Sequence, residues 1–183
     1  MDETEIRERT RAWIEKAVIG LNLCPFAKAV HVGGRLRIAV SGATSAAELL
    51  ADLERELREL VATGPEVETT LLVHPLVLAD FLDFNDFLAE AEALLADLDL
   101  EGVVQLAHFH PQYQFAGTAV DDVSNFTNRS PYPTLHLLRE SSVSRAVDSM
   151  ADTDAIYRAN IATLRKLGVA GWRALGLTSP EVS

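Results

Sequence analysis

A single cysteine, Cys24, leaves no partner for an internal disulfide, so the sequence excludes a disulfide-stapled scaffold and fits a reducing compartment. Long apolar runs are also missing: none approaches the roughly 18–20 residues that a membrane-spanning helix needs. Basic charge is scarce. Sixteen Lys and Arg stand against 27 Asp and Glu, giving a formal net charge of −11 and a pI near 4.8, whereas a protein that binds a phosphate backbone needs clustered cations to displace counterions. Neither nucleic acid nor a membrane is an expected partner. The charged start MDETEIRERTR lacks the basic-then-apolar layout of a signal peptide, which makes the cytoplasm the expected location. Without an export signal, the glycosylation triplets at Asn125 and Asn128 carry no weight.

What is present suffices for a core. The chain has 183 residues, 48% of them hydrophobic, and a mean hydropathy of +0.10, the size of one domain over residues 1–183. Ile6, Trp13, Ile14, Ala17 and Val18 are spaced for an amphipathic helix that Gly20 would stop. LNLCPFA (21–27) reads as an apolar loop, Gly33 and Gly34 as a turn, and LRIAVS (36–41) as a short strand. A helix over 46–62 would take its cap from Thr44 or Ser45, with Glu48 closing a capping box, and would bury Leu49, Leu50, Leu53, Leu57 and Leu60. Three further strands are expected over 67–75, 102–111 and 133–140, and a further helix over 81–100. Ser141 or Ser142 would open a last helical region, interrupted near Asp152 and resuming from Asp154 to about Leu167, with GVAGWRALGL folding the tail back onto the domain.

This order implies an α/β (α+β) sandwich in which a small mixed sheet carries layered helices, as a ferredoxin-like variant. Two neighbouring strands would be parallel through helical crossovers, and the third and fourth antiparallel around the long loop. A small sheet with a free apolar face would favour a homodimer.

The segment His108–Glu140 draws the chemistry. It holds three of the five histidines, and ordinary connectors run to only about 4–6 residues, so its long polar middle needs a role. The two-residue period of a strand places His108 and His110 on one face. His74 ends one apolar run in His-Pro, His110 ends another, and His136 sits in the strand after the loop. Three imidazoles with an open position would suit a divalent metal such as zinc, and a carboxylate from Asp121 or Asp122 in place of one would suit iron. Set against this, a strand histidine is commonly a hydrogen-bonded, half-buried residue, and no HExxH or CxxC signature is present.

In the loop, Arg129 with Asn125 and Asn128 is chemically able to clamp a carboxylate or phosphate. Gln112 could line the same pocket, and Tyr113 or Asp122 could assist proton transfer. The competing reading is a turn-rich loop tied down by its own side-chain to backbone bonds. Cys24 admits two readings, a nucleophile activated by a nearby histidine and a buried structural thiol among Leu21, Leu23 and Phe26.

Together NLCPFA, HPLVLADFLDFNDFL, HPQYQFAG and NFTNRSPYPTLHLLRE resemble the bacterial and plastid family catalogued as domain of unknown function 1415, over residues 5–168 and with no departure at Cys24, His74, His108, His110, Asn125, Asn128, Arg129 or His136. The resemblance implies a single intracellular domain and brings no chemistry with it. Three functions stay open: a metal-dependent enzyme acting on a small anionic molecule, a metal-free enzyme with Cys24 as nucleophile, and a non-catalytic binding or assembly protein.

Overall fold

The computed structural model describes residues 2–148 and 154–177. Helix α1 (Glu3–Trp13) opens on Asp2, whose carboxylate accepts from the Thr4 amide, and turns Ile6, Thr10 and Trp13 inward. It then widens into a π-helical stretch, Ile14–Ile19, that buries Ile14 and Ala17 and ends at Gly20. A short helix α2 (Ala27–Val32) follows the LNLCPFA turn; the sequence reading passed from that turn straight to Gly33 and missed it. Strand β1 spans Leu36–Val40.

Helix α3 (Ala46–Ala62) begins where its capping residues place it. Ser45 accepts from the Glu48 amide, but Glu48 reaches back to the Thr44 amide instead of that of Ser45, so the box is shifted by one residue. Leu49, Leu53, Leu57 and Leu60 are fully buried, at helical spacing. Strand β2 (Thr69–Val73) is buried at every position. Helix α4 (Phe81–Asp97) is capped by Asp80, which accepts from the amides of Leu82 and Asp83. Strands β3 (Val104–Phe109) and β4 (Thr134–Arg139) flank the long loop, and α5 (Glu140–Asp148) continues directly from β4. Helix α6 (Asp154–Ala174) bends at Gly168, whose φ of 65° a glycine adopts freely, and so runs past the expected end at Leu167. The expected interruption near Asp152 lies outside the described residues.

The sheet order is β1-β2-β4-β3. As expected, β1 and β2 are parallel and β3 and β4 antiparallel; β2 and β4 are antiparallel as well. The fold is thus a mixed α/β sandwich. Its βαβ unit has no strand inserted between β1 and β2, so the split βαβ of a ferredoxin-like fold is not confirmed.

Side-chain alternation divides the molecule into two half-cores. Leu72, Val104, Leu135 and Leu137 pack with the apolar faces of α3 and α4. Leu71, with Leu36, Ile38 and Phe109 packed alongside, joins Trp13, Ile14, Ala17, Leu23, Leu164 and Trp172 on the other side. This partition decides which candidate residues can meet.

Candidate functional site

Three of the five histidines fall on the α3/α4 side, gathered by Phe84. Its ring stacks on His74 (centroids 5.5 Å apart) and on His110 (5.2 Å) and meets His108 edge-on (6.1 Å). Both nitrogens of His110 are engaged: Nδ1 accepts from the Gln112 amide at 3.0 Å and Nε2–H donates to the Leu78 carbonyl at 3.1 Å. His74 Nδ1–H donates to the Val77 carbonyl at 3.1 Å, while its Nε2 is buried without a partner. Burial depresses the pKa of all three rings, that of His74 to about 4, so they are neutral at pH 7. Tyr113 Oη lies 3.5 Å from His108 Nε2, and burial raises its pKa.

These imidazoles do not form the expected metal site with His136. In β4, His136 lies between Leu135 and Leu137, which face α3 and α4, so its own side chain projects to the opposite side. With His110 fully engaged as well, the donors do not fit a zinc or iron centre. Among the described residues no three His, Cys, Asp or Glu side chains are grouped to hold a metal ion.

The polar loop 121–133 is held together by its own side chains. Asn125, fully buried, accepts from the Phe115 amide (3.0 Å) and the Thr118 hydroxyl (2.9 Å) and donates to the Ala119 carbonyl (2.9 Å). Arg129 donates to the carbonyls of Tyr113 (3.2 Å) and Val120 (2.7 Å), and its guanidinium lies 4.8 Å from the Phe126 ring centroid. Asn128 donates to the His108 carbonyl at 3.4 Å. Asp122 caps the 3-10 turn Val123–Asn128 through the Ser124 amide, and that hydrogen bond keeps its carboxyl below the usual range. The side chain of Gln112 is exposed, and only its amide contributes, to His110. The self-tied loop is thus what the geometry shows for Asn125, Arg129 and Asp122.

On the α1/α6 side stands a different set. Thr69 and His136 are joined, Oγ1 to Nε2, at 2.5 Å, and the same hydroxyl donates to the Leu137 carbonyl at 2.8 Å. A hydroxyl has one proton, so His136 is the donor in the Thr69 contact and carries its hydrogen on Nε2. Its Nδ1 is left as a lone pair with no hydrogen-bond partner among the described residues, and it is not one of the buried unpartnered atoms. Cys24 lies on this side too, partly exposed, in a turn whose Leu23 packs against the same core and whose Leu23 carbonyl accepts from Asn160 at 2.9 Å. Among the described residues no histidine hydrogen-bonds to its sulfur.

A cavity of about 460 Å³ opens beside β1 on this side. Arg7, Arg11 and Glu15 come from α1 and its π-helical extension, His31 from α2, Gly34 from the turn, and Leu36 and Ile38 from β1. Arg7 pairs with Glu3 and donates to the Ile38 carbonyl, and His31 Nε2 lies 3.1 Å from Glu15. Arg11 has no ion-pair partner among the described residues. Sequence reasoning missed this cavity because it followed only the apolar stripe of the first helix. The signal was available in Arg7, Arg11 and Glu15, four residues apart and therefore on one helical face.

Against known proteins, no curated protein and no solved structure matches this chain. One family model does, over residues 5–174 and so across nearly every element described above, and the chain belongs to the family described as protein of unknown function (DUF1415).

Proposed function

We propose that the chain binds a small organic anion in the cavity beside β1. The observation that carries this reading is the Arg11 guanidinium, which has no ion-pair partner among the described residues and stands on the wall of a cavity of about 460 Å³ in a chain of net charge −11. Small-molecule sites commonly measure about 300–1,000 Å³ and combine apolar walls with a few placed polar groups. Here Leu36 and Ile38 offer an apolar floor, and Arg11 and Arg7 offer planar donors suited to a carboxylate or phosphate. The exposed Arg7–Glu3 pair holds Arg7 only weakly, since such pairs contribute about 0–1 kcal/mol. A ligand anion is able to replace Glu3. This reading retains the small anionic ligand expected from the sequence, moves it away from Arg129, and does not invoke a metal. Calorimetric titration with malonate, succinate, inorganic phosphate and glycerol 3-phosphate tests it. At least one should bind, and Arg11→Met should weaken it about tenfold, equivalent to about 1.4 kcal/mol. Binding that is indifferent to Arg11, or no binding at all, would overturn it.

One observation favours a second reading, in which the bound molecule reacts with a thiol: Cys24 is partly exposed on the same side of the sheet as His136. Under this reading iodoacetamide alkylates Cys24 of the folded protein quickly near pH 7, and a thiol that resists until the protein unfolds is structural.

A further inference from the structure

We infer that two copies of the chain join edge to edge along β3, antiparallel about a two-fold axis through Leu106, so that the sheet runs on from one copy into the other. The free apolar face expected from the sequence plays no part in this. Helices α3 and α4 cover one face of the sheet, and α1 and α6 cover the other.

Strand β3 ends the sheet, with β4 on one side and no strand on the other. The Glu140 amide donates to the Val103 carbonyl, so in the antiparallel ladder Gln105, Ala107 and Phe109 turn their amides and carbonyls towards β4. Val104, Leu106 and His108 turn theirs outward. Two of these outward groups are engaged within the chain: the Val104 amide donates to the Leu100 carbonyl at 3.0 Å, and the His108 carbonyl accepts from Asn128 at 3.4 Å. The Val104 carbonyl, the Leu106 amide and carbonyl, and the His108 amide have no partner among the described residues.

A two-fold axis through Leu106 pairs all of these groups and calls on none of the engaged ones. Leu106 donates to the partner's Leu106 and accepts from it, and the His108 amide donates to the carbonyl of the partner's Val104. By symmetry the same bonds form in reverse, as an isologous contact requires. Moving the axis to Gln105 would need the Val104 amide, and moving it to Ala107 would need the His108 carbonyl, both already taken. The edge is therefore complementary to itself in one register.

The side chains agree with that register. From Gly102 to Val120 there is no Asp, Glu, Lys or Arg, in a chain of which 23% is charged, so this edge lacks the charges that commonly guard one. No like charges meet when two acidic molecules approach here. Leu106 is half-buried against the α3/α4 core and comes to lie beside the partner's Leu106, which joins the two cores. On the other face exposed Gln105 lies opposite the small side chain of the partner's Ala107. The β1 cavities stand at the two far ends of the joined sheet and stay open.

Sedimentation equilibrium on the full chain is the first test. So short an edge contact belongs with the weak, concentration-dependent interfaces, so the mass should climb from 20.0 kDa near 1 μM towards twice that near ~500 μM. Register is then read by cross-linking in a Cys24→Ser background. Residue 105 and residue 107 of the partner form a pair with Cα atoms about 4.5 Å apart, within disulfide reach. A mixture of Gln105→Cys and Ala107→Cys proteins should therefore give a disulfide heterodimer under oxidised glutathione at least tenfold faster than either protein alone. Should Ala107→Cys fail to fold, hydrogen exchange of the wild type followed by NMR takes its place: the amides of Leu106 and His108 should exchange about tenfold more slowly in concentrated than in dilute protein. A chain that stays monomeric throughout, a mixture that cross-links no faster than its components, or exchange at both amides that ignores concentration would overturn the inference.

Discussion

His110 donates its Nε2–H to the carbonyl oxygen of Leu78 at 3.1 Å, across 32 residues of chain, and so ties the end of β3 to the turn leading into α4. Leu78 has a φ of 58°, left-handed for a bulky side chain, and costs of order 1 kcal/mol or more to hold. His74, bonded to the neighbouring Val77 carbonyl, secures the same turn from the end of β2. Two of the expected metal ligands thus clasp a strained turn.

His110→Ala should therefore act on stability. It removes two hydrogen bonds and the stack on Phe84 from a fully buried position, for a loss of roughly 3–4 kcal/mol. Urea unfolding measures this, and a loss below about 1 kcal/mol would contradict the clasp.

Stability should also fall with acid in a defined window. His74 and His136 have folded pKa values of about 4 against an ordinary value of 6.5. Between these values the unfolded chain binds more protons, so their contribution is fully present above pH 6.5 and is lost as pH falls towards 4. Each depressed histidine accounts for roughly 3 kcal/mol of that slope. Unfolding curves collected across this range should show the fall, and His74→Asn should make it shallower.

Arg129 and Asn125 should behave as structural residues. Arg129→Lys keeps the charge but cannot reproduce the paired bonds to Tyr113 and Val120 or the contact with Phe126. A loss of about 2 kcal/mol is expected, with anion binding at the β1 cavity unaffected once the protein is folded. Asn125→Ala should be worse, because it removes a fully buried side chain and takes away the partners of the Phe115 amide and the Ala119 carbonyl. Limited proteolysis between residues 115 and 130 offers the most direct reading of both.

Gly20→Ala tests the turn that carries Cys24. A Cβ at residue 20 would press into the carbonyl oxygen of Lys16, a backbone atom that cannot swing away. The turn should shift, and Cys24 should alkylate faster than in the wild type. An unchanged rate would mean that the π-helical stretch absorbs the added methyl.

The elements were legible wherever local patterning decides them. The α3 boundaries follow from Ser45 and the leucine spacing, and all four strands fall within the expected runs. Short α2 has no buried residue, hence no apolar period to betray it. The site was less legible for a topological reason. His108, His110 and His136 lie close along the chain, yet whether they meet depends on which face of the sheet each one points to, and that depends on the pairing of β4 with β2 and β3. The polar loop misled for a different reason: Asn, Asp and Arg serve equally to hold a ligand or to hold backbone, and only the partners reveal which.

The bond from Arg7 to the Ile38 carbonyl has a meaning apart from ligands. Arg35 accepts from β2, so alternation turns the amides and carbonyls of Leu36, Ile38 and Val40 towards the unpaired rim of the sheet. Such a rim is a template on which another chain can add a strand and begin to aggregate. By occupying the middle carbonyl, Arg7 breaks that template in two, and one guanidinium both lines the cavity and helps keep neighbouring molecules apart.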